Sequence, residues 1–234
     1  MYNFNRFKFL LANNLFLYKL IFLILRFNDN RIVRKNTDLV IEGFPRSANT
    51  FCKAAFLMID SHLSIASHIH LPINIKLGLK NKIPIIILIR KPIDAITSHI
   101  IRSSSNVSNA INSYKRFHIN ISYNDSRVLF VKFETIVKNF PIVITKYNEL
   151  FDTNYNIDID IKDFNKKVFK FVKTMDKIDN SSNMTNHKTV AIPNQKRIIQ
   201  KNTLTNQINS EFFEMINDCN TIYKDILAKA KNII

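Results

Sequence analysis

A dense group of polar side chains follows the first apolar run of the sequence. The segment GFPRSANTF places Arg46, Ser47, Asn49 and Thr50 between an apolar stretch and the helical pattern NTFCKAAFLMID. Free backbone N–H groups and the helix dipole make the start of a helix attractive to an anion. Arg46 adds a fixed charge and a planar set of donors. The segment is therefore typical of a loop that binds a phosphate-like anion, and Ala48 lies within it.

The loop differs from the G-x-x-x-x-G-K-[ST] loop of nucleoside triphosphatases. The sequence has no Lys-Ser or Lys-Thr pair at the loop end to hold a triphosphate and its magnesium ion. A small P-loop kinase or nucleotide hydrolase on a similar sheet is one alternative interpretation, and it requires such a pair. The His, Cys and acidic residues form no metal-binding motif, so no metal is expected.

Strand and helix patterns alternate between residues 37 and 151. TDLVIEG, LSIASHIHLP, KIPIIILIRKP and RVLFVKFE are typical of strands, with the loop after LSIASHIH closed by a proline. NTFCKAAFLMID, PIDAITSHIIR and TIVKNFPIVITKYNELF are typical of helices. This alternation predicts an α/β fold with a mostly parallel central sheet flanked by helices, which binds ligands at the carboxyl ends of its strands.

Two further regions flank this alternation. NSSNMTNHKTVAIPNQKR predicts a long polar loop, and NSEFFEMINDCNTIYKDILAKAKNII predicts a closing amphipathic helix. Residues 1–35 form an apolar and basic appendage to a main domain at 36–234. Its apolar run is interrupted by Asn13, Asn14 and Lys19. The uninterrupted length is therefore shorter than the roughly 18 residues that a membrane-spanning helix needs. The appendage either packs on the domain or lies in the plane of an anionic membrane surface.

The net charge favours anionic partners. Lys and Arg number 34 against 18 Asp and Glu, which gives a formal charge of +16. A non-enzymatic basic protein that binds nucleotide or membrane is a second alternative. Because the basic residues are spread along the chain, we expect no specific nucleic-acid partner.

The cysteine content bears on the compartment. Cys52 and Cys219 are too few for a disulfide framework. A reducing compartment is expected: the cytoplasm, or the inner face of the membrane.

Four segments, in the same order, resemble the sulfotransferases that use 3′-phosphoadenosine 5′-phosphosulfate (PAPS). FPRSANTF resembles their 5′-phosphosulfate loop, and IIILIRKPIDAITSHI resembles a strand ending in Arg followed by a helix carrying Ser. HIHLP resembles the segment with the catalytic His, and LFVKFETIV resembles a later strand ending in Tyr-Glu-Asp/Asn. Bacterial members with Pro-Arg-Ser-Ala-Asn-Thr are the most similar. The resemblance covers residues 37–151 and implies a P-loop-like nucleotide-binding fold.

The resemblance also implies the roles of individual residues. PAPS would donate its sulfuryl group to an acceptor hydroxyl or amine, without a metal. His70 precedes Leu-Pro as in the family's pattern and would be the catalytic base, with His68 as the alternative. Arg46 and the loop amides would stabilise the leaving phosphate. Arg90 and Ser98 would bind the 3′-phosphate.

Three more residues enter the cofactor site through the resemblance. Phe51 stands where a ring commonly stacks on adenine, and core packing is its alternative role. Phe133 stands where the family often has Tyr. The late Arg-Lys-Gly segment of the family is missing, and Arg197, with Lys188 and Lys196 as alternatives, is predicted to reach the 3′-phosphate instead.

Ala48 occupies the position of the family's usual loop glycine. Either the loop avoids left-handed backbone angles, which glycine adopts most easily, or the correspondence is looser. Acceptor pockets in this fold come from variable loops, so the sequence leaves the acceptor open. A glycan or glycolipid is expected from the bacterial likeness and the N-terminal appendage, and the oligomeric state is left open.

Overall fold

A four-stranded, all-parallel sheet lies at the centre of the protein, with its strands in the spatial order Ile65–Ser67, Leu39–Gly43, Ile85–Ile89 and Val128–Lys132. The computed structural model describes residues 31–157, 160–179 and 195–234, with the side chains of 175–179 and 195–198 outside that description. The strands are β1 (Leu39–Gly43), β2 (Ile65–Ser67), β3 (Ile85–Ile89) and β4 (Val128–Lys132). The predicted α/β class with a parallel central sheet is confirmed.

Alternation along the strands gives the sheet two buried faces. Val40 of β1 packs into one hydrophobic cluster, whereas Leu39 and Ile41 pack into the other. All of β3 is buried, as expected of a central parallel strand covered by helices on both sides.

The helices of the described chain cover these two faces. They are α1 (Asn49–Ile59), α2 (Pro72–Lys80), α3 (Pro92–Ser103), α4 (Val107–Ile119), α5 (Phe133–Lys138), α6 (Phe140–Phe151), α7 (Ile161–Asp179), α8 (Gln195–Glu211) and α9 (Phe213–Lys229).

Several element boundaries differ from the sequence-based expectation. Pro72 opens α2, because a proline is well tolerated in the first turn of a helix, whereas a loop had been expected. The single helix expected from TIVKNFPIVITKYNELF is divided at Asn139, directly before Phe-Pro. The closing helix expected from Asn209 onward is divided at Phe212 into α8 and α9. Because α8 already begins at Gln195, the last residues of the predicted polar loop, 195–197, are helical. Strand β4 ends at Lys132, so Phe133 begins a helix and not a strand extension.

Two predicted regions lie outside the described residues: the appendage at 1–30 and most of the polar loop, at 180–194. The division into 1–35 and 36–234 stays a prediction. Ile32 and Val33, the nearest described apolar residues, are buried in the core. Among the described helices, none has both the length and the apolar character needed to span a membrane.

Candidate functional site

The loop between β1 and α1 has an unusual backbone. Arg46 and Ala48 both have φ of 72°, in the left-handed region, and the Ser47 backbone N–H donates to the Phe44 carbonyl at 3.2 Å. Of the two alternatives for Ala48, the one in which the loop avoids left-handed backbone angles is therefore wrong. A left-handed residue other than glycine costs about 1–2 kcal/mol. Turns of this kind at a helix start present backbone N–H groups in a concave, anion-binding arrangement.

Two polar side chains of the loop, those of Ser47 and Asn49, are buried. Ser47 is 1% exposed, and its Oγ has no hydrogen-bond partner among the described residues. A buried hydroxyl left unpaired costs about 1–3 kcal/mol, and a bound anion would remove that cost. Asn49 instead holds the loop in shape, because its Nδ2 donates to the Phe44 carbonyl at 3.2 Å. The loop therefore fits an anionic group, with Ser47 as its side-chain donor.

Four of the predicted cofactor residues meet beside this loop. Nε of Arg46 donates to Oγ of Ser98 at 3.1 Å, and Nη1 of Arg90 donates to the Arg46 carbonyl at 2.6 Å. The Arg90 guanidinium lies 3.8 Å from the ring centroid of Phe133. Arg90 itself follows β3, and the hydroxyl of Tyr114 donates to its carbonyl at 2.9 Å. Two guanidinium groups are thus brought to the carboxyl ends of β1 and β3.

The ring of His70 is anchored to the start of the loop. Its Nδ1 lies 2.8 Å from the Gly43 carbonyl. A carbonyl can only accept, so Nδ1 carries the hydrogen and Nε2 of the neutral ring is the nitrogen able to take a proton. Burial lowers the pKa of His70 to about 4, so the ring is neutral at pH 7.

His68 has a different environment. Its Nε2 lies 3.0 Å from Oγ1 of Thr50, and its Nδ1 is hydrogen-bonded to Oγ of Ser67. Burial lowers the pKa of His68 to about 3, and repulsion from His70 when that ring is protonated adds to the shift. The two histidine rings lie 5.8 Å apart. Both residues have positive φ, of 67° and 56°, so the backbone of this segment is not extended as it is in a strand.

Glu42 is a site residue that the sequence reasoning missed. It is fully buried at the end of β1 and accepts hydrogen bonds from the backbone N–H groups of Ile69 and His70, at 3.1 and 3.0 Å. Nδ2 of Asn74 donates to it at 2.9 Å. Burial raises the pKa of Glu42 to about 7, against the opposing effect of these bonds. The available signal was an ionisable residue in the otherwise apolar strand LVIEG.

Phe51 lies in the core below the loop. It is 6% exposed, and its ring contacts those of Phe140 and Phe169 edge-on, at centroid distances of 6.2 and 5.2 Å. These contacts account for its packing role, and stacking on adenine stays a prediction.

Helix α8 carries two of the three basic residues expected to reach the 3′-phosphate. Lys196 and Arg197 lie in its first turn, with side chains outside the described set, and Lys188 lies outside the described residues altogether. Lys201 on the same helix forms an ion pair with Asp94 near the start of α3. This pair fastens α8 to the helix that carries Ser98.

The described residues contain no group of three or more His, Cys, Asp or Glu side chains arranged to hold a metal ion.

No family model matches the sequence, and no curated protein matches it. Among solved structures, the chain is similar to mouse sulfotransferase SULT7A1 complexed with PAP, with a TM-score of 0.55 and 13% identity. The likeness covers 86% of this chain and 92% of that one. The chain therefore has a sulfotransferase-type fold.

Proposed function

We propose that the protein is a PAPS-dependent sulfotransferase. One observation carries the proposal: three features lie together where β1 and β3 end. They are the loop between β1 and α1 (residues 44–48), the hydrogen-bonded Arg46, Ser98 and Arg90, and the anchored ring of His70. Ligands bind at this edge in open parallel sheets. The mouse sulfotransferase of similar fold was solved with PAP, which supports the same nucleotide class here.

The loop would hold the 5′-phosphosulfate end of the nucleotide. Its backbone N–H groups and the buried hydroxyl of Ser47 are preorganised donors, which cost little reorganisation when charge grows on a leaving phosphate. Arg46 and Thr50 flank these donors in the loop and at the start of α1. Arg90 and Ser98 would hold the 3′-phosphate, the group that distinguishes PAPS from ATP. Arg197 is proposed to add a third contact.

His70 would accept the proton of the acceptor. Its Nδ1–H is held by the Gly43 carbonyl, so Nε2 is the basic position. PAPS supplies the sulfuryl group when bound. The acceptor oxygen or nitrogen would form the new bond to sulfur while the bond between sulfur and the 5′-phosphate oxygen breaks. The acceptor proton would move to Nε2, and PAP would leave with the bonding electron pair on its 5′-phosphate. We propose a glycan or glycolipid hydroxyl or amine as the acceptor.

Calorimetric titration with adenosine 3′,5′-bisphosphate (PAP), beside ADP plus magnesium, tests the cofactor class. We expect metal-independent binding of PAP that is tighter than binding of ADP. A preference for ADP with magnesium would indicate a kinase or nucleotide hydrolase. Absence of binding to either nucleotide would contradict the assignment of this loop to an adenine nucleotide.

A further inference from the structure

We propose that Glu42 is the positioning residue for His70: its carboxylate fixes the backbone of residues 69–70 and thereby directs Nε2 of His70 into the site. Its part in catalysis rests on the proposed function. The positioning itself is a property of the unliganded protein and can be tested without any substrate.

The contacts of Glu42 define a carboxylate clamp, made of this side chain and the N–H groups it accepts from. Oε1 accepts from the Ile69 backbone N–H at 3.1 Å and from Nδ2 of Asn74 at 2.9 Å. Oε2 accepts from the His70 backbone N–H at 3.0 Å. Every partner is a donor, and an ionised carboxylate is the side chain that only accepts. The clamp therefore matches the charged form of Glu42.

The segment held by the clamp does not favour its conformation by itself. His68 and His70 both adopt left-handed backbone angles, which cost about 1–2 kcal/mol for residues other than glycine. Such conformations persist where surrounding contacts over-determine them. Glu42 holds the backbone of His70, and the carbonyl of the next residue, Gly43, holds its ring through Nδ1. Two consecutive residues of β1 thus fix both the main chain and the tautomer of His70.

Asn74 prevents the carboxylate from moving away. Its Nδ2 also donates to the Arg31 carbonyl at 2.8 Å, and its Oδ1 accepts from the Val33 backbone N–H at 3.2 Å. Asn74 is fully buried at the start of α2. Asn74 therefore connects the clamp to residues 31–33, which precede β1, as well as to the sheet.

The clamp makes transfer sensitive to pH. The charged and titratable groups that act on this segment come from the entering chain, α1, the segment itself and α3: Arg31, Lys53, His68, His99 and Arg102. His70 is already neutral above about pH 4, whereas the pKa of Glu42 is raised to about 7. Protonation of Glu42 places an O–H against N–H donors and loosens the clamp. The acid limb of the activity profile is therefore expected near the pKa of Glu42 and not near that of His70.

The Glu42→Gln variant tests the clamp, because it keeps the side-chain shape but turns one accepting oxygen into a donor. We expect kcat to fall about 10–100-fold from misplacement of the base, with the Kd for PAP within about threefold of wild type. The acid limb near pH 7 should disappear. Asn148→Ala is the matched control, since it removes three hydrogen bonds far from this segment and should lower stability while keeping the limb. A Glu42→Gln enzyme with normal kcat and an unchanged acid limb would overturn the proposal.

A measurement on the wild-type protein covers the case in which Glu42→Gln does not fold. NMR titration should show the amide protons of Ile69 and His70 shifting together with the Glu42 side-chain carboxyl carbon near pH 7, and the His70 ring in its Nδ1–H tautomer. The proposal would be overturned if the chemical shifts of these amide protons did not change as Glu42 titrates, or if the His70 ring were in the opposite tautomer. Because these NMR signals are measured without a nucleotide, they test the clamp even if PAP does not bind and the proposed function is wrong.

Discussion

The guanidinium of Arg90 lies 3.8 Å from the ring centroid of Phe133, joining the ends of β3 and β4. Its Nη1 also donates to the Arg46 carbonyl at 2.6 Å. A planar guanidinium stacked on a ring and hydrogen-bonded at one edge loses little freedom when it binds an anion. Phe133 provides this stacking without the hydroxyl that a tyrosine would add. Arg90 is thus preorganised before any ligand arrives.

Arg90→Ala should weaken PAP binding by about 1.5–3 kcal/mol, the value of a charge-assisted hydrogen bond. The same substitution should weaken binding of adenosine 5′-phosphate, which lacks the 3′-phosphate, by much less. Phe133→Leu removes only the stacking and should cost about 0.5–1 kcal/mol. Calorimetry with both nucleotides measures these differences. Equal losses for the two nucleotides would contradict the 3′-phosphate role of Arg90.

The two histidines should respond differently to substitution. His70→Ala is expected to abolish transfer while leaving PAP affinity within about threefold, because its Nε2 is the proton-accepting atom. His68→Ala should keep measurable turnover, since both of its ring nitrogens serve to hold Ser67 and Thr50. Single-turnover assays with an acceptor that supports the wild-type enzyme compare them. Near-normal turnover of His70→Ala would move the base assignment to His68.

Local patterns were sufficient to predict the sheet and the motif-bearing elements. The uninterrupted run IIILI predicts a buried central strand, and proline followed by an acidic residue predicts the start of α3. Helix α4 was missed because its Asn- and Ser-rich sequence is polar on average, although Asn106 caps it by accepting from the Asn109 backbone N–H. Propensity is a weak guide where tertiary packing decides the helix.

The contacts within the site could not be read from the sequence. Glu42 meets His70 across 28 positions and Asn74 across 32, and no local pattern reports pairs so distant in the chain. The left-handed angle of Ala48 was unexpected for the same reason, since tertiary contacts hold a conformation that the residue alone disfavours. The proximity of Arg46, Ser98 and Arg90 follows from the parallel register, which places the ends of β1 and β3 side by side.

The two glycines of the chain offer a matched test of the strand end. A Cβ on Gly43 would lie 2.7 Å from the Leu88 carbonyl oxygen, a backbone atom that cannot move aside cheaply. Gly43→Ala should therefore lower the free energy of unfolding by about 1–3 kcal/mol and weaken PAP binding. A Cβ on Gly78 would lie 3.0 Å from Cδ1 of Ile85 and 3.0 Å from Cγ2 of Val40, and these buried side chains must shift to admit it. Because these are side-chain atoms and alanine favours the helix, Gly78→Ala should lower stability less than Gly43→Ala. Urea unfolding of both variants checks this, and equal effects would contradict the packing of β1 against β3.

His118 should make folding stability depend on pH. It is fully buried on α4, its Nδ1 lies 2.9 Å from the Tyr114 carbonyl, and its Nε2 has no partner among the described residues. Burial lowers its pKa to about 4, whereas the unfolded chain titrates near 6.5. Between these values the unfolded state binds the extra proton, so native stability falls as pH decreases, by up to about 1.4 kcal/mol per pH unit.

Substitution of His118 isolates this contribution. His118→Leu should be less sensitive to acid than wild type, so the free-energy difference between the two proteins should shift in favour of the variant as pH falls from about 6.5 to about 5. Phe56→Leu, a buried substitution in the other hydrophobic cluster and without a titratable group, should lower stability equally at both pH values. Urea unfolding at each pH measures the free energies. If His118→Leu shows the same pH dependence as wild type, the protonation of His118 does not drive acid unfolding.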